Sequence, residues 1–187
     1  MKTNIILFTI LILFSCSNNA KNAQSETAKQ QEQTVYEHDY LVKVGDIAPD
    51  FTLKLTDDTD FTLSKQRGKL VMLQFTASWC GVCRREMPHI ESDIWQKHKD
   101  NEDFILIGVD RDEPKEVVDE YTNKIGTTYP MALDVNGDVF ANYALRGAGI
   151  TRNVLIDKDG RIIKLTRGFK EDEFNELTSL IDSMLNN

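Results

Sequence analysis

Residues 69–88 read KLVMLQFTASWCGVCRREMP, and the whole reading of the chain turns on them. Lys69–Phe75 is a compact apolar run of the length and composition of a buried β-strand. A helix is expected from about Gly81 to Lys99, so Trp79-Cys80-Gly81-Val82-Cys83 falls where strand gives way to helix. A helix N-terminus offers free backbone N–H groups and about half a positive charge, which favours thiolate over thiol. A cysteine there can fall from a pKa of about 8.5 to about 3.5–7. The partner three residues on lies one helical turn away, near enough to attack and release a mixed disulfide. Arg84 and Arg85 add positive potential, although either can equally be an ordinary solvated side chain.

Outward from this segment the pattern alternates strand and helix. Asp50–Leu55 and Asp60–Ser64, around the turn-prone Asp57-Asp58, predict a short hairpin before the central strand. Phe104–Val109 (FILIGV) predicts the next buried strand, and Pro114 opens a helix to about Lys124. Met131–Leu133 predicts a short strand and Asn136–Tyr143 a short helix. Asn153–Asp157 and Arg161–Thr166 flank Lys158-Asp159-Gly160, a hairpin turn signal. Phe174–Leu185 has apolar residues at 174, 177, 180, 181, 184 and 185, one face of a closing helix. The expected fold class is α/β, helices packed around a mixed sheet.

The chain has 187 residues and a formal net charge of −8. Its length suits one domain with appendages. The acidity belongs to that domain, since residues 41–187 carry 19 basic and 26 acidic side chains. Nucleic acid is excluded as a partner, because phosphate binding needs clustered Lys and Arg. Three cysteines (Cys16, Cys80, Cys83) are too few for a disulfide-stapled scaffold and odd in number. After Lys2, residues 5–14 are apolar except for Thr9, far short of the roughly 20 residues a spanning helix needs. Leu13-Phe14-Ser15-Cys16 ends that run and resembles the lipobox of bacterial lipoproteins, in which the cysteine carries a diacylglyceryl group. Residues 1–15 are therefore expected to be a lipoprotein signal peptide, with Cys16 as the lipid attachment point. Residues 17–40 contain no Gly or Pro and no apolar stripe, so 16–40 is expected to be a flexible tether and 41–187 the folded domain.

A lone CxxC also occurs in zinc sites, but a structural zinc needs four ligands. There is no second CxxC, and His38, His89 and His98 have no ligand-like spacing to the first, so no metal is expected. Inert core cysteines do not suit a strand-to-helix elbow in an exported, oxidising setting. A redox dithiol is the remaining reading.

Val44-Gly45-Asp46-x-Ala48-Pro49-Asp50-Phe51 and the stretch from Phe75 to Pro88 resemble the TlpA/ResA-type thiol–disulfide oxidoreductases, membrane-tethered members of the thioredoxin superfamily. The resemblance covers essentially all of residues 41–187. It implies a thioredoxin-like fold with an N-terminal β-hairpin and a central helix-containing insert. It also implies that Cys80 is the exposed nucleophile, Cys83 the buried resolving thiol, and Glu86 a carboxylate beside Cys83. The i to i+3 spacing independently puts Cys83 and Glu86 on one helix face, where a buried carboxylate can take the Cys83 proton. Trp79 is a candidate docking rim, and Pro88 should kink the helix.

Two positions depart from that family's pattern. Val82 replaces the Pro that many relatives carry between the cysteines. Thr151, in Gly149-Ile150-Thr151-Arg152-Asn153, stands where thioredoxin folds carry a cis-proline facing the CxxC. A non-proline cis bond costs about 3 kcal/mol, so the Ile150–Thr151 bond is expected to be trans, with Thr151 itself facing the substrate.

The function expected is a lipid-anchored thiol–disulfide oxidoreductase of the cell envelope, facing the periplasm or exterior, and a reductase in direction. Its partners are a substrate protein with a disulfide or thiols, a membrane-bound electron donor, and the bilayer through Cys16. No cofactor is required, since the Cys80–Cys83 pair is itself the redox group. One alternative is a peroxiredoxin-like thiol peroxidase, which needs Pro-x-x-x-Thr/Ser-x-x-Cys. Counting back from Cys80 gives Ala77 and Leu73, and from Cys83 gives Cys80 and Thr76, so neither fits. A non-catalytic copper-binding module is the other, although no Met or His cluster accompanies the sulfurs.

Overall fold

The computed structural model describes residues 34–186. The expected signal peptide and Cys16 lie outside the described residues, as does most of the expected tether. The sheet is mixed, with strand order β5-β4-β3-β6-β7. Its strands are β3 (Leu70–Thr76), β4 (Phe104–Arg111), β5 (Met131–Asp134), β6 (Arg152–Ile156) and β7 (Ile162–Arg167). β3, β4 and β5 run parallel, and β6 and β7 pair antiparallel to complete it. The short hairpin β1 (Thr52–Lys54) and β2 (Asp60–Thr62) precedes the sheet as expected. The central insert is α3 (Lys115–Ile125), β5 and α4 (Asp138–Tyr143), and α5 (Glu171–Leu185) closes the chain.

Every residue of β3 is buried, so this strand is covered on both faces and its side chains divide between two helical layers. Phe75 packs against Phe140 and Tyr143, with ring centroids 5.5 and 5.3 Å away, on the α4 side. Its neighbours Gln74 and Thr76 point the other way. Thr76 Oγ1 lies 3.4 Å from Met87 Sδ and 3.0 Å from the Tyr121 hydroxyl, which places α1 (Gly81–Ile90) and α3 on that face.

The helix expected over 81–99 is continuous but not uniform. After α1 the chain widens into a π-helical turn, Glu91–Trp95, before the short α2 (Gln96–His98). Pro88 has no N–H to return to the Arg84 carbonyl. The irregularity it introduces is taken up one turn later, where the Glu91 N–H reaches the carbonyls of both Met87 and Pro88.

Packing begins upstream of the boundary expected at Leu41. Tyr40 is buried and donates its hydroxyl to the Thr166 carbonyl at 2.6 Å. Arg152, itself fully buried, lies 4.3 Å over the Tyr40 ring and donates to the His38 carbonyl at 2.6 Å. Composition hid this, because Val35-Tyr36-Glu37-His38-Asp39-Tyr40 has apolar residues too few to form a stripe. The tyrosines dock singly, one against a buried guanidinium.

Replacing Tyr40 by Ala should therefore lower the unfolding free energy by about 3–5 kcal/mol, the cost of emptying a core aromatic site. Tyr40→Phe should cost only about 1 kcal/mol, the worth of its hydrogen bond. Urea denaturation of the three proteins measures this, and an unchanged midpoint in Tyr40→Ala would place the segment outside the cooperative unit.

Candidate active site

Cys80 occupies the N-cap of α1, with extended backbone, and the Cys83 N–H donates to its Sγ at 3.1 Å. The two cysteines are disulfide-bonded, with Cα atoms 5.3 Å apart. Cys83 is fully buried, while Cys80 keeps 7% of its surface in solvent. Cys80 is thus less exposed than a free nucleophile would be, because its sulfur is engaged by Cys83 and covered by Thr151. The Thr151 hydroxyl lies 3.1 Å from Cys80 Sγ and 3.2 Å from Cys83 Sγ, so one side chain touches both sulfurs. All described peptide bonds, Ile150–Thr151 included, are trans. Trp79 is 56% exposed at the rim, its ring 5.7 Å from the Arg111 guanidinium. Arg84 and Arg85 do not reach the sulfurs; they donate to the carbonyls of Ser78 and Gly81.

Glu86 is 1% exposed, and its surroundings come from strand register. Gln74, Asn153 and Thr166 are directly opposed across β3, β6 and β7 and form one polar row beneath α1. Asn153 Nδ2 donates to Glu86 Oε1 at 2.7 Å and to Thr166 Oγ1 at 3.0 Å. Tyr129 donates to Gln74 Oε1 at 2.6 Å, closing the row from the other side. Gly108, opposite Gln74 on β4, leaves room for this: a Cβ there would sit 3.2 Å from the Tyr129 ring and collide with the Met131 sulfur. Burial pushes the Glu86 carboxyl up to about 7, with the Asn153 and Gln74 amides pulling against it. A carboxyl near neutrality is matched to accepting and returning a proton.

The site also includes residues that motif reading missed. Glu113 accepts from both the Ser78 N–H and hydroxyl at 2.5 Å, clamping the loop that leads into Trp79 and Cys80. Asp110, the penultimate residue of β4 and opposite Thr76, is fully buried; burial first, and Glu113 second, push its carboxyl up to about 8. The available signal was a polar residue inside or closing an apolar run: Gln74 in β3, Asp110 directly after Phe104–Val109 in β4, Asn153 in β6. Among the described residues, no group of three or more His, Cys, Asp or Glu is arranged to hold a metal ion.

The sign of the Glu86 shift fixes a pH dependence. Because the folded-state value lies above the ordinary one, the folded state holds a proton that the unfolded chain has released between about pH 4.5 and 7. The Glu86 contribution to stability should fall as pH rises through that window and level off above it, while Asp110 adds a falling slope of its own up to about pH 8. The Glu86 span is on the order of 3 kcal/mol. Glu86→Gln should lack this slope, so thermal midpoints of the two oxidised proteins should diverge from pH 4.5 to 7 in favour of the variant. Parallel midpoint curves would show that Glu86 is already ionised in the fold.

The Redoxin family model matches residues 43–181. The thiol–disulfide oxidoreductase ResA of Geobacillus thermodenitrificans is 35% identical over 144 residues, 74% of this chain and 79% of that relative. ResA of Bacillus cereus is 27% identical over 173 residues, covering 92% and 94%. Among solved structures, a candidate protein disulfide isomerase from Bacteroides thetaiotaomicron is 60% identical with a TM-score of 0.78, covering 81% of this chain and 96% of that one. A candidate thiol:disulfide interchange protein DsbE from Chlorobium tepidum is 26% identical with a TM-score of 0.65, covering 77% and 99%. With a CxxC at a helix N-terminus, the thioredoxin-like sheet behind it and these relatives, the chain belongs to the Redoxin family as a ResA-like thiol–disulfide oxidoreductase.

Proposed function

We propose that this enzyme is a lipid-anchored reductase of substrate protein disulfides in the cell envelope, facing the periplasm or exterior. The observation that carries the chemistry is the Cys80 sulfur, which caps α1, receives the Cys83 N–H and touches the Thr151 hydroxyl. In the reduced enzyme these two donors and the helix N-terminus favour a Cys80 thiolate. That thiolate attacks one sulfur of the substrate disulfide. A Cys80–substrate bond forms as the substrate S–S bond breaks, and the released substrate thiolate takes a proton from water. Glu86 accepts the proton of Cys83, and the Cys83 thiolate attacks Cys80 Sγ. The Cys80–Cys83 disulfide forms and the second substrate thiolate leaves. Two electrons have then passed from the enzyme dithiol to the substrate, and a membrane-bound thiol donor returns them. The dithiol is the only redox group this cycle uses.

Anchoring rests on the Leu13-Phe14-Ser15-Cys16 sequence, with Cys16 bearing the lipid. No helix among the described residues is long and apolar enough to cross a membrane. Trp79 and Thr151 frame the surface that meets the substrate.

Cys83→Ser removes the resolving thiol and should accumulate mixed disulfides through Cys80, visible as higher-mass bands on a non-reducing gel of intact cells. Absence of such bands, with the variant protein present, would contradict the cycle. Thr151→Val removes one donor to the thiolate and should raise the Cys80 thiol pKa by about one unit, the worth of a single net hydrogen bond. The pH dependence of iodoacetamide alkylation, followed in a Cys83→Ser background, reports it; an unmoved titration would show that the hydroxyl does not face the thiolate.

A further inference from the structure

We propose that Arg167 is a specificity-determining residue, selecting substrate disulfides in which an acidic residue neighbours the attacked cysteine. The inference rests on the oxidoreductase reading above and names the substrate class of that same site. A groove of about 290 Å³ runs beside the disulfide, walled by Trp79, Cys80, Val82, Ile150, Thr151 and Arg167. Arg167 is the one charged side chain on that lining, and no carboxylate shares it. In a chain of net charge −8, this is a local exception to the prevailing sign.

The guanidinium is held there by the backbone. Arg167 ends β7 directly opposite Arg152, and the Gly168 N–H donates to the Thr151 carbonyl at 2.9 Å. A Cβ at Gly149 would stand 2.9 Å from Arg167 Nη2, so the bare glycine lets the guanidinium rest on the loop that carries Ile150 and Thr151. Four other arginines are occupied elsewhere. Arg111 pairs with Asp112 at 2.9 Å and lies over Phe140, and Arg146 pairs with Asp138. Arg84 and Arg85 donate to backbone carbonyls. Arg167 makes no ion pair or side-chain hydrogen bond among the described residues. An unpaired guanidinium in a groove with no other charged side chain offers a planar fork to a carboxylate, and a lysine of the substrate would be repelled there.

Three peptide disulfides, identical except for Glu, Gln or Lys next to the cysteine, test this against the reduced full chain at 0.15 M salt, where distant charges are screened. Each rate constant is divided by that with dithiothreitol, which removes the intrinsic reactivity of the peptide. The Glu peptide should be reduced about tenfold faster than the Lys peptide. Arg167→Gln should bring that ratio close to one, Arg167→Glu should invert it, and Arg167→Lys should keep its direction. Gly149→Ala, which displaces the guanidinium, should shrink it. A wild-type ratio near one, or a ratio unchanged in Arg167→Gln, would overturn the inference while leaving the oxidoreductase reading intact. Failure to reduce any of the three peptides would overturn that reading and this inference with it.

Discussion

Antiparallel pairing of β6 against β3 is the constraint on which the site depends. The register that sets Gln74 opposite Asn153 and Phe75 opposite Arg152 fixes three things together. It delivers Thr151, one residue before β6, to the two sulfurs. It places Asn153 under Glu86. It turns Arg152 to the opposite face, where it lies over the ring of Tyr40. Because side chains alternate along a strand, a slip of one residue would bring Asn153 to the Tyr40 face and Arg152 beneath α1. Sheet register therefore sets Thr151 on the sulfurs, Asn153 beneath Glu86 and Arg152 on Tyr40 at once.

The polar groups around the disulfide are held at a cost. Glu86 is buried with one oxygen bonded to Asn153 and the other without a partner, and Asp110 is buried with neither oxygen bonded. Both carboxyls are pushed toward or above neutrality by burial. A core selected for stability alone would put apolar groups in both places. One lies on the inner face of the CxxC helix and the other opposite Thr76 at the end of the central strand. The Glu113 clamp on Ser78 adds rigidity where Trp79 and Cys80 leave the strand.

Much of this was legible in the sequence because it is local. The run Leu70–Phe75, the CxxC at the strand-to-helix junction and the i to i+3 relation of Cys83 and Glu86 are short-range facts that the fold preserves. The trans bond before Thr151 followed from the cost of a cis bond at a residue other than proline. What was not legible is non-local. Asn153 and Thr166 become a floor for Glu86 only once three strands are in register. Tyr40 is tied to the domain by Arg152 and Thr166, 112 and 126 positions later, which meet its ring and its hydroxyl. The π-helical turn after Pro88 was beyond a rule that places the disturbance at the proline itself.

The reduction potential of the Cys80–Cys83 pair tests the central claim most directly. It is obtained by equilibrating the full chain in graded dithiothreitol buffers and scoring the free thiols by alkylation. A reductase of substrate disulfides should lie near thioredoxin, at about −270 mV. A value near −120 mV, where the dithiol form is the stabilised one, would mean that the enzyme introduces disulfides, and would contradict the direction assigned here.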